Sequence, residues 1–392
     1  MPKILVAYGT RPEAIKMAPL VAALAESGQV EPVVAVTGQH RQMLDQVNAL
    51  FGIVPRHDLN IITERQLLTG ITCRALEGVS AIIAEEQPDA VLVQGDTTTC
   101  FAAALAAFYQ RVPVIHLEAG LRTHNNYNPF PEEVNRTMVS RIAELHLAPT
   151  ATSRRNLIAE AISPGAIAVT GNTVIDALLE VAARQLPPSN PDLLKVQGRR
   201  TVLITAHRRE SWGEPMAQAA RAMARLAKAF PDITLLLPVH LNPAVREILL
   251  PHLQHLDNVV ITEPLGYGDF VGAMQASDIV LTDSGGVQEE APSLGKPVLV
   301  MRATTERPEA VQAGTVKLVG TNENRIFEEV SQLLTDQSAY DAMAKAVNPY
   351  GDGHASDRCL KAIAHYFGLE AERPVDFSPS LETVQAQAPR VS

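Results

Sequence analysis

Short apolar runs recur along this chain, and most are followed by segments whose apolar positions repeat at helical spacing. Ile4–Tyr8, Val33–Val36, Ala90–Val93, Val112–Leu117, Leu145–Ala148 and Ile167–Thr170 form a first set. A polar, proline-containing stretch, Leu186–Arg200, then intervenes. The pattern restarts with Val202–Thr205, Ile233–Leu237, Val259–Thr262, Ile279–Thr282, Val298–Met301 and Val316–Val319. Short, largely apolar runs suit buried strands, and strands alternating with helices predict parallel sheets covered by helices. The expected fold is α/β, with one unit over residues 1–170, a second over 171–354 and a ligand cleft between them. A last helix is expected from Ala355 to Phe367. Over residues 370–392 the apolar periodicity fades, and this tail is expected to be disordered.

Open parallel sheets bind ligands beyond the carboxyl ends of their strands, and the polar signals fall at those ends. Ile279–Thr282 runs into Asp283-Ser284-Gly285-Gly286, and a helix over Val287–Leu294 follows, closed by Gly295. Ser284 is expected to cap that helix, and the paired glycines open its N–H groups to a diphosphate. Glu290, one turn in, is placed to accept from a ribose. Gly9-Thr10-Arg11-Pro12-Glu13 leaves the first strand with capping-box spacing between Thr10 and Glu13. That sets Arg11 and Lys16 near a helix start, as contacts for an anion. Asp96, Glu118 and His207 stand at strand exits and Glu132 in the loop after Glu118, four groups able to move protons. Each also has a plain structural reading: a helix cap at Asp96, a partner of Arg122 at Glu118, a first-turn acid at Glu132, a loop histidine at His207.

With 46% apolar and 19% charged residues among 392, two units can each bury an ordinary core. A net charge of −10 argues against a broad nucleic-acid or anionic-membrane footprint, so neither partner is expected. Cys73, Cys100 and Cys359 are scattered with no CxxC, and no GxGxxG follows the first strand. Asp45, His57 and Asp58 are close in sequence but read as surface charges. No metal and no cofactor are expected. No apolar run approaches the ~18 residues of a membrane span. The chain opens directly on a strand, so no signal peptide and a cytoplasmic location are expected.

Longer strings carry a resemblance. GTRPEAIKMAPL, TGQHRQMLDQV, VQGDTTT, EAGLRT with NPFPEEVNR, TGNTVIDAL, TAHRRESWG, PVHLNP, TDSGGVQEEAPSLGKPVLVMR, TTERPEA and NPYGDG resemble the non-hydrolysing UDP-N-acetylglucosamine 2-epimerases. The resemblance implies GT-B architecture: two Rossmann-like domains, with a C-terminal helix over 355–369 packing back on the first. It implies UDP-N-acetylglucosamine and UDP-N-acetylmannosamine as partners, a homodimer, and a role in cell-envelope polysaccharide biosynthesis. Position by position it implies catalytic or substrate contacts at Asp96, Glu118, Glu132 and His207. Further substrate contacts are implied at Arg11, Lys16, Phe270, Ser284, Gly285, Gly286, Glu290 and Arg307. A second, activating site for UDP-N-acetylglucosamine is implied at Gln39, His40, Gln42, Arg65, Glu132, Arg208 and His240. Leu265 departs from relatives that carry Gln there, which bears on uracil affinity.

The implied reaction inverts C2 by anti elimination of UDP to a 2-acetamidoglucal and syn re-addition. The C2 proton is not next to a carbonyl carbon, so loss of UDP must make it removable. Carboxylates and a histidine suit the proton transfers, while cations and N–H donors suit the departing diphosphate. Glu118 and Glu132 are favoured for the C2 proton, Asp96 and His207 for the anomeric oxygen. A hydrolysing epimerase, a GT-B glycosyltransferase and a non-catalytic nucleotide-sugar sensor stand as alternatives. The four acid–base candidates argue against the sensor, and no acceptor-binding motif speaks for the transferase.

Overall fold

A computed structural model describes residues 1–38, 41–62 and 67–379, with the backbone alone at residue 42. The first unit, residues 1–177 and 350–378, holds a seven-stranded sheet. Its strands are β1 (Lys3–Tyr8), β2 (Glu31–Val36), β3 (His57–Asp58), β4 (Ala90–Gln94), β5 (Val114–Leu117), β6 (Leu145–Ala148) and β7 (Ile167–Val169). They lie in the order β3-β2-β1-β4-β5-β6-β7, all parallel. Leu5, Ala7, Val91 and Val93 from the central strands pack with Val79, Ile83, Ala103 and Ala107 of two covering helices. Strand order reverses between β1 and β4, the topological switch point at which such sheets bind ligands.

The helix Arg11–Ser27 that follows β1 opens with the expected capping box of Thr10 and Glu13. Glu13 also does something the spacing did not indicate. Fully buried, it accepts from the backbone N–H of Gly9 (3.1 Å) and Thr10 (2.8 Å), and from the Thr97 hydroxyl (2.7 Å). One carboxylate therefore ties the exit of β1 to the exit of β4.

The first unit extends past the expected boundary at residue 170. Asp176 caps the last helix, Ala355–Tyr366, by accepting from the N–H of Ala355 (3.2 Å) and Ser356 (2.7 Å). That helix packs on Arg11–Ser27 and belongs to the first unit. Disorder from residue 370 onward does not hold for residues 370–379. Phe377 N–H donates to the Val169 carbonyl (2.7 Å), and Asp376 accepts from Val169 N–H (2.9 Å) and pairs with Arg154 (2.6 Å). Phe377 is buried, with the Arg358 guanidinium 5.2 Å from its ring. The segment covers the edge strand β7 through the Phe377 backbone and the polar side chains of Asp376 and Arg373, contacts that apolar periodicity does not register. Residues 380–392 of the expected tail lie outside the described residues. His57 is likewise no mere surface charge: it pairs in β3 and meets Glu86 at 2.7 Å.

The second unit, residues 178–349, holds β8 (Thr201–Thr205), β9 (Thr234–Pro238), β10 (Val259–Thr262), β11 (Ile279–Thr282), β12 (Val298–Val300) and β13 (Val316–Leu318). The order is β10-β9-β8-β11-β12-β13, again all parallel, with its switch point between β8 and β11. Ile204, Leu235, Leu281 and Leu299 form its core with Met216, Met223 and Leu226 of one helix. The helix after β11 is α-helical only over Gly285–Glu290. It tightens to a 3₁₀ turn, Ala291–Leu294, where Pro292 has no N–H to continue the ladder, and Gly295 closes it at φ +67°. The expected Ser284 side-chain cap is not made. Instead, Thr282 Oγ1 accepts from Ser284 N–H (2.9 Å), and Gln288 donates to the Ser284 carbonyl (3.0 Å). Both units are thus the parallel α/β sheets the pattern predicted, and Rossmann-like as the resemblance implied. Among the described residues no helix is long and apolar enough to cross a membrane.

Candidate functional site

Two groups of polar residues, one in each unit, gather at the strand exits of the two switch points. In the first unit Glu118 follows β5 in the left-handed region, at φ +62°. A non-glycine residue there costs about 1–2 kcal/mol, so its neighbours must hold it in place. They do: the residue is only 8% exposed, and its carboxylate accepts from Lys16 Nζ (2.5 Å) and Asn172 Nδ2 (3.0 Å) on Oε1, and from Gln94 on Oε2. The plain alternative for Glu118 fails, because Arg122 is engaged with Glu160 at 2.6 and 2.9 Å. Lys16, expected as a ligand-anion contact, directs its ammonium at Glu118.

Asp96 follows Gly95, whose φ of +68° and nearness to the Glu118 carboxylate both favour glycine. It does not cap the next helix. Thr97 does, accepting from Cys100 N–H at 3.0 Å. Asn135 donates to the Asp96 carbonyl (2.9 Å), and Arg136 lies 3.4 Å from its carboxylate. Burial pushes the Asp96 carboxyl up to about 6; Arg136 pulls against it, while the charges of Glu118 and Glu132 push the same way. An acid that titrates near neutrality therefore sits beside a carboxylate fixed by three donors. Glu132 starts the helix Glu132–Ile142. Its neighbour Glu133 is structural, accepting from the N–H of Thr123 (3.0 Å) and His124 (2.8 Å). Arg11 begins its own helix, half-buried, at the exit of β1.

In the second unit His207 follows β8 and Asp283 follows the adjacent β11. His207 Nδ1 lies 2.9 Å from Asp283 Oδ1, and Asp283 Oδ2 accepts from the N–H of His207 (2.7 Å) and Arg208 (2.8 Å). Burial pushes the Asp283 carboxyl up, but His207 and these backbone donors outweigh it and hold it below the usual range. The carboxylate orients the ring so that Nε2 is the nitrogen left for other chemistry. The His240 ring stacks at 5.9 Å, its pKa lowered by burial and by His207.

Ser284, Gly285 and Gly286 form the turn after β11. Glu290, 8% exposed, accepts from the Tyr267 hydroxyl at 3.1 Å. Phe270 is half-buried in the first turn of the helix Tyr267–Ala276, and Leu265 is buried just before it. Arg307 pairs with Glu289 (2.5 Å) and Glu306 (2.9 Å). Of the residues expected at a second site, Gln39, His40 and Arg65 lie outside the described residues, and Gln42 contributes backbone only. Glu132 stands in the first unit, Arg208 and His240 in the second.

Sequence reasoning missed Gln94, Asn172, Asp283 and the buried His116. The His116 ring, lowered to about 3 chiefly by burial, meets the Gly95 carbonyl at 2.7 Å. Gln94, Asn172 and Asp283 sit at strand ends, the same signal that singled out Asp96. Among the described residues no three His, Cys, Asp or Glu side chains gather as a metal-binding group.

Comparison with known proteins points the same way. A sequence model described as UDP-N-acetylglucosamine 2-epimerase matches residues 22–364. The UDP-N-acetylglucosamine 2-epimerase of Escherichia coli K12 is 54% identical over 374 residues, covering 92% of this chain and 98% of its own. The structure of the Neisseria meningitidis UDP-GlcNAc 2-epimerase bound to UDP-GlcNAc superposes with a TM-score of 0.86 at 46% identity, covering 93% of this chain and 100% of that one. The S. aureus MnaA–UDP co-structure gives 0.89 at 46% identity, covering 96% and 100%.

Proposed function

The chain belongs to the UDP-N-acetylglucosamine 2-epimerase family, and we propose from that premise that it interconverts UDP-N-acetylglucosamine and UDP-N-acetylmannosamine without hydrolysing either. The observation that carries this reading is the Glu118 carboxylate, held at φ +62° by its neighbours and close enough to Asp96 for its charge to raise that carboxyl. One carboxylate is fixed by Lys16, Gln94 and Asn172, and beside it stands an acid titrating at about 6.

The chemistry runs as an elimination and its reversal. UDP leaves C1 with the C–O bonding pair, a carboxylate takes the C2 proton, and a 2-acetamidoglucal remains. Re-addition of UDP at C1 and of a proton at C2 on the opposite face gives the other epimer. Glu118 and Glu132 serve the C2 proton. Asp96 and His207, the latter oriented by Asp283, serve the anomeric oxygen. Arg11, Lys16 and the Ser284-Gly285-Gly286 turn steady the departing diphosphate, with Arg307, Glu290 and Phe270 around the nucleotide. No step calls for a metal or redox cofactor.

Chromatography of a long incubation with UDP-N-acetylglucosamine tests the non-hydrolysing reading. UDP-N-acetylmannosamine should accumulate to a constant ratio with no free N-acetylmannosamine. Stoichiometric UDP and free sugar would mark a hydrolysing enzyme instead.

The same reading extends to a cytoplasmic homodimer feeding cell-envelope polysaccharide synthesis. Exposed Phe108, Tyr109, Val134 and Met138 on two packed helices of the first unit support self-association. It extends also to substrate activation through Gln39, His40, Gln42, Arg65, Glu132, Arg208 and His240. Reverse-direction progress curves should then show a lag that trace UDP-N-acetylglucosamine shortens.

A further inference from the structure

Within the second unit, the loop that follows β12 returns over the turn that follows β11. Glu306 lies in this loop. Arg302 Nη1 is 2.7 Å from its Oε2, Arg307 Nη1 is 2.9 Å from its Oε1, and Arg208 Nη2 is 3.4 Å from the same Oε1. Three guanidinium groups therefore converge on one carboxylate. Burial pushes that carboxyl up, but Arg307 and Arg302, with Arg208, outweigh it and hold it at about 2.

The position of this anion matters as much as its charge. A Cβ placed on Gly285 would stand 3.2 Å from Glu306 Oε1 and 2.6 Å from Arg307 Nη1. Gly285 has helical backbone, so it is the space above it, not a special φ, that requires glycine. Glu306 thus lays an oxygen against the Ser284-Gly285-Gly286 turn, inside a cage of arginines. Guanidinium forks over a βα turn are the surroundings that a phosphoryl group takes.

We propose that Glu306 is an internal counter-ion standing where a ligand's phosphoryl group goes, and that nucleotide binding displaces it. The proposal rests on reading this turn as the site of a nucleoside diphosphate. Two of the arginines keep a second anchor when Glu306 leaves. Arg307 Nε holds Glu289, 1% exposed, at 2.5 Å, and Arg302 Nε holds Glu210 at 3.2 Å. Arg208 has a buried Nε–H with no hydrogen-bond partner among the described residues, a donor left for an incoming oxygen. Glu306 keeps mutually repelling cations assembled while the site is empty, and it competes with the anion they are assembled for. Affinity for UDP is thereby moderated, which suits a reaction in which UDP must part from the sugar and rejoin it.

Calorimetric titration of the full chain with UDP, and separately with uridine, tests this. Glu306→Gln should bind UDP about tenfold more tightly than wild type, because a like charge leaves the phosphoryl position. Uridine, which carries no phosphate, should bind both proteins equally. Glu306→Asp, with the charge withdrawn by one methylene, should tighten UDP about threefold, and it serves if melting shows that the Gln variant does not fold. A crystal structure of wild type with UDP should show Glu306 parted from Arg307. A folded Gln variant that binds UDP no better than wild type, or Glu306 still on Arg307 beside bound UDP, would overturn the proposal. Wild-type protein that bound no UDP at all would overturn the nucleotide-site reading itself, and this proposal with it.

Discussion

Glu118 occupies a backbone conformation that a glutamate does not choose, and three side chains from separate elements hold its carboxylate there. Local strain held by its surroundings is the mark of a placed functional group. Glu118→Gln should therefore keep the fold and lose roughly 10²–10⁴-fold in kcat, the usual worth of a proton-transfer group. A Gln variant within a factor of three of wild type would remove Glu118 from the mechanism. Asp283→Asn should cost kcat more than KM and shift the pH profile, because it unsettles the His207 tautomer without touching substrate. An unchanged profile would make Asp283 a purely structural residue.

Asp96 supports a prediction of definite sign. Its folded-state pKa, about 6, lies above the ordinary carboxylate value. The folded protein therefore holds this proton more tightly than the unfolded chain, and the group's contribution falls as pH rises from ~4 to ~6. Its side chain is 28% exposed, so the effect is discounted to roughly 1–2 kcal/mol. Asp96→Asn should lose activity yet melt higher than wild type at pH 7.5, with the gain gone near pH 4. A lower melting point at pH 7.5 would contradict the assignment. At this scale the sequence showed Asp96, Glu118 and His207 because strand exits are visible in it. Their partners Gln94, Asn172 and Asp283 were not visible as partners, since each depends on which strands become neighbours.

Elements were legible where hydrophobic pattern and capping chemistry agree. All twelve expected strand runs form with boundaries moved by two residues at most, and Thr10 with Glu13 marked a helix start that forms as written. Two elements were missed because they are held by backbone and charge. One is the two-residue β3. The other is the segment 370–379, which lies along β7 with a single buried aromatic, Phe377. That segment departs from the disorder expected over residues 370–379. Burying Phe377 and making the Asp376 and Phe377 hydrogen bonds is worth about 2–3 kcal/mol together. A chain cut after Leu369 should melt several degrees below one cut after Pro379, and with β7 uncovered it should aggregate more readily. Equal melting points would mean that the segment adds nothing.

At the scale of the whole molecule, the alternation of apolar runs and helical periods specified two parallel sheets, and both formed. Each has its own reversal of strand order, between β1 and β4 and between β8 and β11, and the acid–base residues stand beside those two points. Strand order is a property of the assembled sheet, so the sequence displayed the residues but not the reason they come together. The proposed activity needs carboxylates for the C2 proton, and a histidine and N–H donors for the departing UDP. That claim turns on the fate of a single hydrogen. Proton NMR of UDP-N-acetylglucosamine with the enzyme in deuterated water follows it directly. The account predicts deuterium at C2 of the UDP-N-acetylmannosamine formed and of the recovered substrate, and epimerisation with the C2 proton retained in both would contradict it.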